Sequence, residues 1–246
     1  MPLELLSVLA GLALWQLLAT VFPHRLFPPP LAVTGEIWRL AAAGPLLADL
    51  GKTLTRVALG FSLAMVIGTA LGIVVGRYRT VDRLASPWVT VGLNLPALVS
   101  AIALYIWLGL TETALILAVV INKLPLVVAT VREGVRSLSA ELDELARAYR
   151  LPLGRRLRIV LLPQLMPFLL AAARTGLALI WKIVLVFEVL GSDGGVGYRI
   201  NLMFQFFDIT GILAMTASFV AVVVAFDFFV LRILDRRMQR WRPVRA

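Results

Sequence analysis

Apolar residues run along this chain in stretches about twenty long, separated by shorter polar segments. Six stretches stand out, at about 3–22, 55–76, 88–110, 113–131, 166–190 and 211–233. An α-helix rises about 1.5 Å per residue, so roughly 20 apolar residues cross the ~30 Å hydrocarbon core of a bilayer. Backbone N–H and C=O groups find no water at that depth, which leaves the helix as the form of each span. The pattern predicts an all-α membrane protein of six transmembrane helices. The first stretch has no basic residues ahead of it and no small-residue cleavage pattern after it, so it reads as a retained span. The third and fourth are divided only by a turn from Gly109 to Glu112. One membrane domain covers residues 1–246. It comprises an N-terminal helix and outer segment (1–54), a core (55–233) and a basic tail (234–246).

Two polar-to-apolar patterns stand apart from the spans. In the second span, small residues recur every four positions at Gly60, Ala64, Gly68, Gly72 and Gly76. That smooth face lets another helix approach closely. The connection 131–164 is too long for a passive link. Leu138, Leu142, Leu145 and Tyr149 fall at helical spacing up to Arg150, and Pro152 then interrupts the pattern. A second amphipathic stretch runs from Leu153 to Leu162 and is expected to end at Pro163. A helix-turn-helix between spans four and five, with an apolar stripe facing water, calls for a protein partner.

Charge fixes the expected sidedness. Of the 24 basic residues, 16 lie in the segments 77–87 and 131–164 and in the tail from Arg232. Five lie on the opposite side: Arg25, Arg39, Lys52, Arg56 and Arg199. Basic residues collect on cytoplasmic loops, so both chain ends are expected in the cytoplasm. The net charge of +10 therefore follows from topology. A nucleic-acid interface would need a soluble basic face instead. The composition agrees: 60% of residues are hydrophobic and 15% charged, against about a quarter charged in a typical soluble domain.

The inventory for chemistry is short. There is no cysteine, which excludes disulfides and thiolate catalysis. The one histidine, His24, lies in a proline-rich loop, and no metal site or cofactor is expected. Gly51-Lys52-Thr53 mimics the end of a phosphate-binding loop, but Leu46 stands where its first glycine is required. Polar groups at membrane depth are costly and so are candidates for function. They are Asn94, Ser100, Asn122, Lys123, Lys182, Glu188 and Asp227, joined by Pro96 and Pro125, which free backbone carbonyls within spans. Asn94, Pro96, Ser100, Asn122, Lys123, Lys182 and Glu188 are the candidates for lining a translocation path. The alternatives are helix–helix hydrogen bonds for Asn94 and Ser100, and ion pairs of Lys123 or Lys182 with Glu188 or Asp227. An intramembrane enzyme would need a catalytic set that these residues do not supply. A secondary transporter or channel would leave the long helix-turn-helix unexplained.

The connection 131–164 resembles the EAA loop of ABC-importer permeases. Glu144-Leu145-Ala146 stands for Glu-Ala-Ala, Arg150 occupies the family's glycine position, and Leu162-Pro163 matches its Leu-Pro. Gly191 to Tyr198 (GSDGGVGY) looks like the Ser-Gly-Leu-Gly-Tyr segment of the sulfonate, taurine and nitrate branch. Trp181, Glu188, Leu95-Pro96, Leu108-Gly109, Asp227, Leu234-Asp235-Arg236-Arg237 and Trp241 also fall where that branch has their like. The resemblance implies a homodimer of permeases in the bacterial inner membrane. It implies two cytoplasmic ABC ATPase subunits docked on the loops, and a periplasmic binding protein delivering a small solute. That solute would be an anion of the sulfonate, taurine or nitrate kind, or else a vitamin precursor. The residues it implies for ATPase coupling are Leu142, Glu144, Leu145, Ala146, Tyr149, Arg150, Pro152 and Pro163. ATP hydrolysis would reside in the partner.

Overall fold

A computed structural model describes residues 2–239; the side chains of Pro2, Glu4, Ala140, Leu142, Asp143, Arg147, Leu153 and of 230–239 lie outside the description. Of the basic tail, residues 240–246 with Trp241 fall outside it altogether. The described residues are helical nearly throughout. In order they form α1 (Pro2–Val21), α2 (Pro30–Ala42), α3 (Leu46–Arg77), α4 (Arg79–Asn94), α5 (Ala97–Leu108), α6 (Glu112–Arg136), α7 (Ala140–Ala148), α8 (Leu153–Arg156), a π-helical stretch (Leu157–Leu161), α9 (Leu162–Gly191), α10 (Val196–Gln205) and α11 (Ile209–Gln239).

Four helices are long and apolar enough to cross a bilayer: Leu46–Arg77, Glu112–Arg136, Gly154–Gly191 and Ile209–Phe229. The third expected span is not one rod. It is a pair, α4 and α5, bent by 99° at Leu95–Pro96. The proline removes an N–H and holds Leu95 extended, at φ −71° and ψ 119°, so the helix must stop and restart. If the bent pair counts as one span the total is five, and α1 adds a shorter apolar helix from Leu5 to Val21. A second expectation is also corrected. Pro163 does not end the stretch that begins at Leu153; helix runs on through it into α9. The π-helical turn before it, with Leu162 N–H donating to Leu157 O, absorbs the irregularity that a proline brings to an α-helical ladder.

The chain divides into two compact units, Met1–Thr55 with Leu185–Phe226, and Arg56–Val184 with Asp227–Ala246. The core of the second is built on the small-residue face of α3. A Cβ added at Gly60, Gly68, Gly72 or Gly76 would lie 2.6–2.7 Å from the nearest side-chain carbon of Val119, Val127, Val131 or Val135 respectively. Each pair is 59 residues apart, so α3 and α6 run parallel in one fixed register. Val127, Val131 and Val135 then meet Leu165, with Met65, Ile73, Leu161 and Leu169 around them. In the first unit, Ala19, Val33, Leu40, Leu46, Leu50 and Phe187 are buried, as are Ala214 and Met215 of α11.

Candidate functional site

The connection after α6 is built around two helix ends. Helix α7 closes on a left-handed residue: Arg150 has φ +51°, and Leu151 N–H reaches back to Ala146 O at 3.0 Å. This is the 6→1 closure that normally carries glycine at the left-handed position. The chain therefore makes the glycine-type turn with arginine, at the position where the resemblance placed a glycine. Pro152 O accepts from Arg156 N–H at 3.0 Å and so starts the next helix. Gln164 holds the assembly together. Its Nε2 donates to Val160 O within the π-helical turn, and its Oε1 accepts from Ser139 N–H, both at 3.0 Å. Leu145 and Tyr149 are 55% and 75% exposed, and Glu144 is exposed beside them. Ala146, expected on the same outward stripe, is instead 3% exposed. Helix α7 packs on the π-helical stretch, and a helix of nine residues is held by tertiary packing on one face, which leaves Ala146 inward.

At membrane depth in the same unit, Asn122 Nδ2 donates to Ser100 Oγ and to Ala118 O, which ties α6 to α5. Helix–helix hydrogen bonding therefore accounts for these two. Lys123 is 1% exposed, and its ammonium has no hydrogen-bond partner among the described residues. It takes the place of valine in the α6 stripe, at the register of Ala64. It lies so close to α9 that a Cβ on Gly176 would fall 1.8 Å from its Nζ. Lys123 therefore lies in a helix seam. Lys182, also on α9, is exposed and enters no ion pair among the described residues. Asn94 and Pro96 are exposed at the α4–α5 break, with Asn94 Nδ2 bonded to Thr90 O at 2.8 Å. An ion pair not foreseen from the sequence joins Arg56, 3% exposed, to the half-exposed Glu112 at the start of α6.

The first unit holds the glycine-rich segment. Gly194 and Gly195 adopt φ +151° and +100°, conformations that L-residues avoid. The turn they make aims the first N–H groups of α10 at acceptors on other elements. Gly195 N–H donates to Asp49 at 3.0 Å, Val196 N–H to Thr53 Oγ1 at 2.9 Å, and Gly197 N–H to Glu188 at 2.9 Å. Thr53 Oγ1 in turn donates to the Glu188 carboxylate at 2.9 Å, and Arg199 Nε donates to Asp49 at 2.8 Å. Lys52 Nζ donates to Asp193 O. Glu188 is fully buried, its charge set at a helix N-terminus that favours it. The Lys-Thr of the phosphate-loop mimic is thus structural. Asp49, Thr53 and Arg199 were missed because no local pattern marks a contact between residues ~150 apart. Gln164 was missed for a related reason: it lies next to Pro163, where the sequence suggests a helix end.

Comparison with known proteins places this geometry. The sequence pattern of the family described as "Binding-protein-dependent transport system inner membrane component" matches residues 64–240. A permease of Bacillus subtilis (strain 168) named for aliphatic sulfonates transport is 28% identical, over 94% of this chain and 84% of that protein. The taurine transport system permease protein of Escherichia coli (strain K12) is also 28% identical, over 96% of this chain and 86% of that protein. Among solved structures, a chain of the MetNI methionine ABC transporter in an inward-facing conformation superposes with a TM-score of 0.66. It covers 80% of this chain and 96% of that one at 19% identity, which speaks to the fold alone.

Proposed function

The chain belongs to the family of binding-protein-dependent transport system inner membrane components, and from that membership we propose how it works as the permease of an ABC importer. It is a transport subunit and not an enzyme, and the family implies an ATPase and a binding protein as its partners. In the proposed arrangement six helices span the inner membrane: α1, α3, the α4–α5 pair, α6, α9 and α11. Both chain ends lie in the cytoplasm, and two copies of the chain form the path. The asymmetry of basic residues supports this orientation. The helix-turn-helix 140–156 is the ATPase-coupling element, with Glu144, Leu145, Tyr149 and Arg150 outward and Ala146 and Pro163 supporting them from within.

The solute we assign is a small anion of the sulfonate class. The observation that carries this is Lys182, a cation at membrane depth that is exposed on its own protomer and has no ion-pair partner among the described residues. On insertion scales a lipid-facing lysine costs about 2.5–3.5 kcal/mol, so the side chain belongs on a surface covered by protein or on a water-filled path. The relatives named for sulfonates and taurine agree with a positive field there. Ser100, Asn122, Lys123 and Glu188 support the walls of the path from behind. Asn94 and Pro96 lie at the break in the bent pair, where unpaired backbone could face the solute. The test is reconstitution with the partner ATPase and binding protein. Lys182→Met should retain the ATPase and its hydrolysis yet lose most sulfonate uptake. Leu145→Asp should lose the ATPase itself. Full uptake by Lys182→Met would remove the anion assignment, and a full ATPase complement on Leu145→Asp would remove the coupling assignment.

A further inference from the structure

We propose that the second unit carries a binding site for one membrane phospholipid, its phosphodiester held by Arg77 and Arg158 and an acyl chain lying between α3 and α9. Two adjoining cavities make the case. The first, about 260 Å³, is an apolar groove lined by Thr69 and Ile73 of α3 and by Leu161, Leu165 and Leu169, with Arg158 also in its lining. The second, about 670 Å³, shares Ile73, Leu157 and Leu161 with it and opens onto Arg77, Tyr78, Ser139 and Arg156. A polar chamber therefore continues into an apolar slot, the division of a phospholipid between head and tail.

The dimensions and charges fit the same occupant. From Thr69 to Arg77 the helix rises about 12 Å, close to the ~15 Å half-thickness of the hydrocarbon core. Slot and chamber together therefore run along α3 over most of one leaflet, from Thr69 in the slot to Arg77 in the chamber. In this unit Arg56, Arg132 and Arg136 are engaged in ion pairs. Arg77 and Arg158 take part in none among the described residues, and both are exposed. Two uncompensated guanidiniums, Arg158 lining the slot and Arg77 lining the chamber it adjoins, suit a phosphate that carries hydrocarbon. Glu144 also lines the polar chamber. An occupied site would thus touch the segment assigned to coupling, although the lipid site depends only on the membrane setting and not on that assignment.

The two halves of the ligand can be offered separately. Thermal unfolding of the detergent-purified chain would be followed with dioleoylphosphatidylglycerol, with dioleoylglycerol (tails without phosphate) and with glycerol phosphate (head without tails). Only the phospholipid should raise the midpoint, and native mass spectrometry should find one copy retained. Arg77→Gln and Arg158→Gln, both at exposed positions, should each weaken that binding about fivefold, the effect of one cation near a lipid phosphate. Thr69→Phe should block the slot. Equal protection by dioleoylglycerol would reduce the site to a greasy groove. Protection by glycerol phosphate alone would make it a soluble-anion site. Wild-type lipid affinity in both arginine variants would overturn the proposal.

Discussion

Gly68→Ala is the sharpest probe of what holds α3 against α6. A Cβ at position 68 would lie 2.7 Å from Val127 Cβ and 2.8 Å from its Cγ1. Carbon atoms prefer separations of about 3.5–4.0 Å, so the helices must part by about 1 Å. They cannot do so locally, because Gly60, Gly72 and Gly76 make equivalent contacts in the same register. Overpacking of this kind costs about 1–3 kcal/mol. The removal of a glycine from a helix interior offsets about 0.5–1 kcal/mol of that. Gly51 of the same helix supplies the control: nothing lies within 4 Å of a Cβ there, so Gly51→Ala should show only the gain. Equilibrium unfolding in mixed detergent micelles would measure both. Val127→Gly removes both clashing carbons, Cβ and Cγ1, so the Gly68→Ala/Val127→Gly pair should show a favourable coupling of at least ~0.5 kcal/mol in a double-mutant cycle. Gly68→Ala behaving like Gly51→Ala, or a cycle with no coupling, would refute the close-packed seam.

Three further outcomes follow from single residues. Arg150 sits at φ +51°, a conformation that costs an L-residue about 1–2 kcal/mol. Arg150→Gly should therefore slow amide exchange across 146–156 while Arg150→Val speeds it, and the reverse order would show that the turn is not strained. Lys123→Met removes a buried ammonium that has no hydrogen-bond partner among the described residues and roughly keeps the volume. It should match or exceed the wild type in thermal stability, and a clear loss would mean that the cation is compensated in the membrane. Thr53→Val leaves Val196 N–H without its acceptor and takes a donor from Glu188. A cost of about 1–3 kcal/mol is expected, with faster exchange at Val196 and Gly197; unchanged exchange would dismiss the pinning role.

The sequence by itself determined the helical class, the positions of the long apolar helices and the presence of an interrupted amphipathic connection at 131–164. These rest on local rules: twenty apolar residues make a span, every fourth small residue makes a face, and proline disturbs a helix. Local rules could not say how each proline is accommodated. Pro96 breaks its helix by 99°, whereas Pro163 is carried through by a π-helical turn that Gln164 and Ser139 brace. Nor could they distinguish a polar group facing a path from one facing a partner helix. Glu188 was legible as an acid at membrane depth. Its engagement with Thr53 and Gly197 depends on a residue 135 positions away. Lys123 and Lys182 look alike in sequence, yet one is 1% exposed in a valine seam and the other is exposed. Ala146 and Leu145 are neighbours on one short helix, and tertiary packing turned the first inward and left the second at the surface. Hydropathy fixes how much of a helix must avoid water. The direction each polar side chain faces is set by which neighbour packs against it, and that information lies in residues far away along the chain.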